Sequence, residues 1–184
     1  IRIHDEVTNK GNTPAPHMIL YHCNFGYPLV DEDVDIIYRG SCKSRGMDFD
    51  NALFNDKHNY KKCQPPLKTH KACGESGGFI DAEPDKEGFC TVGLANKKLS
   101  LALVMKYQKQ QLGCLTNWQH WGPGEYVCAL EPGTNFPVGQ NKARQQNELI
   151  MSISIMMLRW KIPIAGWKIW MHPPYRHGLR LKTH

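Results

Sequence analysis

The chain has 184 residues, 41% of them hydrophobic, which is enough for one domain with a real core. Its net charge of +6 is unevenly placed: six of the 23 basic residues and none of the 17 acidic ones lie from Met151 onward, so the first 150 residues are neutral. That neutral body carries no electrostatic footprint for nucleic acid, and no apolar run is long enough to span a membrane as a helix. The chain begins at Ile1 inside a strand-like pattern, without a Met or a signal peptide, as expected for a fragment or a processed product. Seven scattered cysteines without a secretory signal predict free thiols in a reducing, cytoplasmic compartment. The spacing Cys63-x6-His70-x2-Cys73 is a weak zinc alternative, lacking a second Cys/His pair at ligand distance. No metal is expected.

In chain order, Ile1–Val7 alternates as a strand and ends at TNKGN. His17–Cys23, HMILYHC, reads as a strong strand, with Met18, Leu20 and His22 on one face and Ile19, Tyr21 and Cys23 on the other. Asn24–Pro28 reads as its break, and Val34–Tyr38 as another short strand. Gly40–Gly78 is polar, basic and punctuated by Pro and Gly; so long a loop suggests a short helix or a lid. Within it GESGG (Gly74–Gly78) looks loosely like a nucleophile motif but reads better as a flexible turn. Phe79–Ala82 and Phe89–Asn96 look like a hairpin around Pro84–Gly88. Leu99–Tyr107 alternates cleanly, burying Leu99, Leu101, Leu103, Met105 and Tyr107 on one face. Glu148–Ile155 is a candidate last strand. Many short strands separated by turns, with no helical period over three turns, predict an all-β sandwich or barrel.

The stretch Gly122–Arg144 draws attention because a turn, Gly122–Gly124, leads into the alternating run Glu125–Leu130. Pro132 and Gly133 stop that run just after Glu131, presenting a carboxylate at a strand end. His22 is placed in the same way at the end of HMILYHC. Two such strand ends on one concave face would form an acid/base pair. The plain alternatives are an exposed Glu131 paired with Arg144 and a hydrogen-bonded His22 lodged against Met18 and Leu20. Asn24, Trp118, Gln119 and His120 add amide, aromatic and imidazole groups of the kind that bind sugars. Beyond Met151 the composition changes: Trp160, Trp167, Trp170, His172, His177 and His184 lie in an acid-free tail. It reads as a basic–aromatic surface or as a sequence artefact, poorly packed beyond the last strand. The expected division is therefore a body, 1–150, and an atypical tail, 151–184.

The segment Val7–Glu32, VTNKGNTPAPHMILYHCNFGYPLVDE, resembles the YH-x-N-F-G-x-P-L segment of bacterial aldose-1-epimerase-like proteins, within the galactose mutarotase superfamily. WQHWGPGEYVCALEPGTNFPVGQNKAR resembles the same family's W…GEYV…LEP-x-x…P-x-G…AR segment, and the strands between the two fit in order. The resemblance covers roughly residues 1–150 and implies a β-supersandwich, here a C-terminal portion incomplete on the N-terminal side. It implies an aldose 1-epimerase-like sugar isomerase in which Glu131 is the general base and His22 the general acid. Asn24, Trp118, Gln119 and Arg144 would contact the monosaccharide or sugar derivative. No cofactor is implied, because each step is only a proton transfer. A non-catalytic carbohydrate-binding module and an inactive remnant are the alternatives. An incomplete sandwich would expose strand edges and favour association, leaving the oligomeric state open.

Overall fold

The computed structural model describes residues 1–57, 60–139, 153–158 and 179–183, the last two stretches as backbone strands. In chain order the strands are β1 (Arg2–Asn9), β2 (Asn24–Gly26), β3 (Asp35–Ile37), β4 (Gly40–Ser44), β5 (Ser76–Ala82), β6 (Phe89–Asn96), β7 (Leu101–Gln108), β8 (Cys114–Gly122), β9 (Glu125–Gly133), β10 (Ile153–Leu158) and β11 (Leu179–Thr183). A six-residue helix, α1 (Asp48–Leu53), and a 3-10 turn, Lys68–His70, interrupt the long segment between β4 and β5. The strands form a six-stranded sheet, β11-β1-β10-β7-β6-β3, and a five-stranded sheet, β2-β9-β8-β5-β4. Every described pairing of strands is antiparallel. The molecule is an all-β sandwich, as expected. No described helix is long and apolar enough to cross a membrane.

One hydrophobic cluster draws on both sheets. Val92, Leu94, Leu101, Leu103, Met105 and Tyr107 come from the six-stranded sheet; Phe25, Ile80, Leu115, Trp121, Cys128 and Leu130 come from the five-stranded one. The alternation of β7 is the cleanest case: Leu101, Leu103, Met105 and Tyr107 are buried and the intervening side chains are not. Only Leu99 departs, exposed ahead of the strand. A buried hydrogen bond from the Tyr21 hydroxyl to Asp5 Oδ2, at 2.7 Å, adds a polar tie between the segment before β2 and β1.

Three expectations change. The predicted hairpin of Phe79–Ala82 with Phe89–Asn96 does not form, because β5 pairs with β4 and β8 while β6 pairs with β3 and β7. The turn between them carries the chain from one sheet to the other, held by Asp85 Oδ1, which accepts from the backbone N–H of Glu87 and Phe89. HMILYHC is extended but is not a ladder strand. It runs beside β9 through isolated bridges at Leu20 and His22, the Tyr21 N–H donating to the Pro132 carbonyl and the Leu130 N–H to the Cys23 carbonyl, while the Cys23 N–H turns back to the Tyr21 carbonyl. Regular pairing begins at Asn24, where a break was expected. Its two faces nevertheless sort as read: Tyr21 and Cys23 are buried with Ile19 against the core, while Met18 faces out. GESGG is no flexible turn either, since Ser76–Gly78 open β5. The start of the last strand at Glu148 and the tail's Trp and His residues lie outside the described residues, whereas β10 and β11 add to β1 and β7.

Candidate active site

Directly opposed residues of an antiparallel ladder share a face. On β9 and β8, Glu131 opposes Thr116, Ala129 opposes Trp118 and Val127 opposes His120. Gly77 of β5 opposes Trp118, and Asn24 of β2 opposes Ala129. His22, two residues before Asn24, falls on this same face beside Glu131. The register therefore gathers His22, Asn24, Glu131, Thr116, Trp118 and His120 on the face of the five-stranded sheet turned away from the core. Asn24 is exposed on the edge strand. Gln119 goes the other way. It opposes Cys128 on the core side, fully buried, its Oε1 accepting from Trp121 Nε1 and its Nε2 donating to the Tyr60 carbonyl. Arg144 lies outside the described residues.

Glu131 is only 3% exposed, so the exposed strand-end carboxylate is not what forms. His22 Nδ1 lies 3.1 Å from Glu131 Oε1. The two are close but not aligned for a hydrogen bond, and each of these buried atoms has no hydrogen-bond partner among the described residues. Thr116 Oγ1, opposite Glu131, is a third such atom. Leaving a buried polar atom unmatched costs about 1–3 kcal/mol, so these three atoms on one face are places where a polar ligand would gain. Burial, with the nearby Glu75 charge, pushes the Glu131 carboxyl up from 4.5 to about 8, while Arg45 opposes the shift. Cys23, also buried and near Glu131, is pushed up to about 12.

Next to this pair stands Trp118. Its ring stacks on His120, centroids 5.9 Å apart and 7° from parallel, and meets the His22 ring at 6.2 Å. Its Nε1 donates to Glu75 Oε2 at 2.6 Å. Glu75 Oε1 in turn accepts from Arg45 Nη1 at 2.8 Å. Arg45 is anchored by Asp50 of α1, whose carboxylate takes bonds from Arg45 Nε and Nη2 and from the backbone N–H of Met47 and Gly77. A side chain at residue 77 would crowd Arg45 at 3.1 Å, and one at residue 78 would meet Phe54 at 2.4 Å. The glycines of GESGG thus let an arginine and a phenylalanine lie across β5.

His120 and His70 hold the loop before β5. His120 Nδ1 donates to the Gly74 carbonyl, and its Nε2 lies 3.2 Å from Glu125 Oε2. The Trp121 N–H donates to His70 Nδ1, which puts the ring proton on Nε2, facing Ser76 Oγ. Burial, then His120, lowers the His70 pKa. His70, the middle residue of the possible zinc spacing, is therefore engaged at both nitrogens. Among the described residues no group of three or more His, Cys, Asp or Glu is placed to hold a metal.

His22, Glu131 and Trp118, named from sequence, lie together here, whereas Thr116, Glu75, Arg45 and Asp50 beside them were not named. Thr116 was readable, two residues ahead of Trp118 on an alternating strand. The other three come together only through tertiary contacts of β4, α1 and β5.

The all-β sandwich matches the fold of a solved structure described as an aldose 1-epimerase. The chain is similar to a structure from Klebsiella pneumoniae subsp. pneumoniae MGH 78578 described as a "putative aldose 1-epimerase", with a TM-score of 0.71 at 23% identity. The match covers 84% of this chain and 40% of that one, so the chain spans about two fifths of that protein's length. By sequence, the chain belongs to the family described as "Domain of unknown function (DUF4432)", whose model matches residues 1–154. No curated protein matches it.

Proposed function

We propose that this chain carries the acid/base pair of a sugar isomerase of the aldose 1-epimerase type, acting on a monosaccharide or sugar derivative. The observation that carries the reading is the apposition of His22 and Glu131, 3.1 Å apart on the open sheet face, with their facing atoms otherwise unmatched. Glu131 removes the proton of the anomeric hydroxyl and His22 protonates the ring oxygen. The C1–O5 bond breaks, the aldehyde rotates about C1–C2, and closure in reversed roles gives the other anomer. The raised pKa of Glu131, about 8, makes it a stronger base than an ordinary carboxylate and brings its proton exchange near neutral pH. Trp118 supplies a flat apolar wall and Asn24 an edge amide for hydroxyls. The free state of all seven cysteines supports a reducing, cytoplasmic setting.

Polarimetry or saturation-exchange NMR on a panel of aldoses tests this. Glu131→Gln should lower the interconversion rate on the order of 10²–10⁴-fold, the usual worth of a general base. His22→Asn should lower it while leaving sugar binding intact. Equal rates in wild type and Glu131→Gln would end the enzymatic reading. The second reading, a binding module without catalysis, is favoured by the fixed, half-buried Trp118 indole. It requires sugar-dependent quenching of Trp118 fluorescence without any acceleration by the wild-type chain.

A further inference from the structure

We propose that Glu75 is a positioning residue of this face: clamped by Arg45, it fixes the Trp118 indole as the wall beside the His22–Glu131 pair. The inference rests on the sugar-site reading only for what the wall would contact; the clamp itself rests on geometry. Trp118 is held on three sides. Its Nε1 edge meets Glu75, one ring face meets His120, and the His22 ring approaches at a tilt of 59°. Glu75 cannot swing away without breaking its bond to Arg45, and Arg45 has all three guanidinium nitrogens engaged, two of them by the fully buried Asp50. Hydrogen bonds in this chain are charge-assisted and of 2.6–3.1 Å, the strong class. The chain runs from α1 through β4 and the residue ahead of β5 to β8, so it ties the otherwise irregular segment before β5 to the site. His120 Nδ1, bonded to the Gly74 carbonyl, holds the backbone beside Glu75, but it makes no bond to the indole Nε1, which Glu75 alone is seen to engage among the described residues.

The same carboxylate also acts on Glu131 through space. Among the described residues, His22, Glu75 and Arg45 lie near Glu131 on its own face or beside it, and the buried thiols of Cys23 and Cys128 interact with it through the sheet. Glu75 raises the Glu131 pKa and Arg45 lowers it, so the clamp sets both the place of the wall and the ionisation of the base. A residue of merely structural value would not move that ionisation.

The experiment compares Glu75→Gln and Glu75→Ala by NMR, with Trp118 assigned from Trp118→Phe and the Glu131 carboxyl from Glu131→Gln. In Glu75→Gln the amide oxygen still accepts from the indole, so the Trp118 Nε1–H signal should stay protected from solvent exchange. In Glu75→Ala its exchange should quicken on the order of tenfold, as expected for losing one charge-assisted hydrogen bond. In both variants the Glu131 carboxyl should titrate at a lower pH than in wild type. Unchanged indole exchange in Glu75→Ala, or an unchanged Glu131 midpoint in the near-isosteric Glu75→Gln, would overturn the proposal. Neither readout needs turnover. A wild-type chain inactive on every sugar would sink the epimerase reading and leave this test standing.

Discussion

Glu131 sits at the end of a strand, where a carboxylate is ordinarily free to reach water, yet it is buried and turned toward another nitrogen. Its proton is consequently held in the folded chain to about pH 8 and released from the unfolded chain near 4.5. Between those values the folded state binds more protons than the unfolded state. The stability tied to this group is therefore complete below about pH 4.5 and is lost as pH rises through about 8, at up to about 1.4 kcal/mol per pH unit. Glu131→Gln, neutral and of the same shape, should remove that slope. Urea unfolding at pH 5 and pH 9 checks it: wild type should lose more stability than Glu131→Gln on going to pH 9. A loss equal in both proteins would show that Glu131 ionises as an exposed carboxylate does. In the proposed reaction the same group runs the opposite way: the rate should strengthen as pH rises toward 8, because the base must be ionised.

Asp50 does for the segment between β4 and β5 what Glu131 does for the site. Its carboxylate caps the first turn of α1 by accepting from the Met47 N–H, pairs with Arg45 and accepts from Gly77 of β5. Asp50→Ala would strand the Arg45 charge and the Gly77 N–H together. It should cost about 3–5 kcal/mol, the usual penalty for breaking a buried ion pair from one side, and thermal unfolding would read it directly. A shift of less than a few degrees would mean that Arg45 finds water instead. Such arrangements mark where reading from sequence stops. Alternation revealed β7 and β9, and before β2 the partition of Tyr21 and Cys23 from His22, because burial of one face imposes a period of two. Alternation cannot say which strand lies alongside, so β5 and β6 were joined as a hairpin although they belong to different sheets. GESGG has no side-chain period, and its glycines register only the bulk of Arg45 and Phe54 lying across them. His22 and Glu131 were legible because each precedes a turn. Glu75 and Arg45 were not, since nothing local distinguishes a clamp from two solvated charges.

The two sheets share one hydrophobic cluster, and the cysteines are distributed through it and around it. Cys23, Cys63, Cys90 and Cys128 are buried, Cys42 and Cys114 are half-buried, and Cys73 is exposed. Burial pushes the thiols of Cys23, Cys42, Cys90 and Cys114 upward, and a hydrogen bond with Cys63, then burial, does the same for Cys128, which starves them of the reactive thiolate. Cys73 should therefore react at once with a disulfide reagent such as dithionitrobenzoate in the native protein. Cys42 and Cys114 should follow slowly, and the four buried thiols only after opening. Cys90 lies on β6 of the six-stranded sheet and Cys128 on β9 of the five-stranded one, with core side chains of both sheets interposed. If the shared core makes opening all-or-none, mass spectrometry of partly labelled protein should find Cys90 and Cys128 modified together, at a rate that tracks global unfolding in denaturant. Modification of one well ahead of the other would mean that the sheets open separately. The clamp and the His22–Glu131 pair on the five-stranded sheet would then be held by that sheet alone.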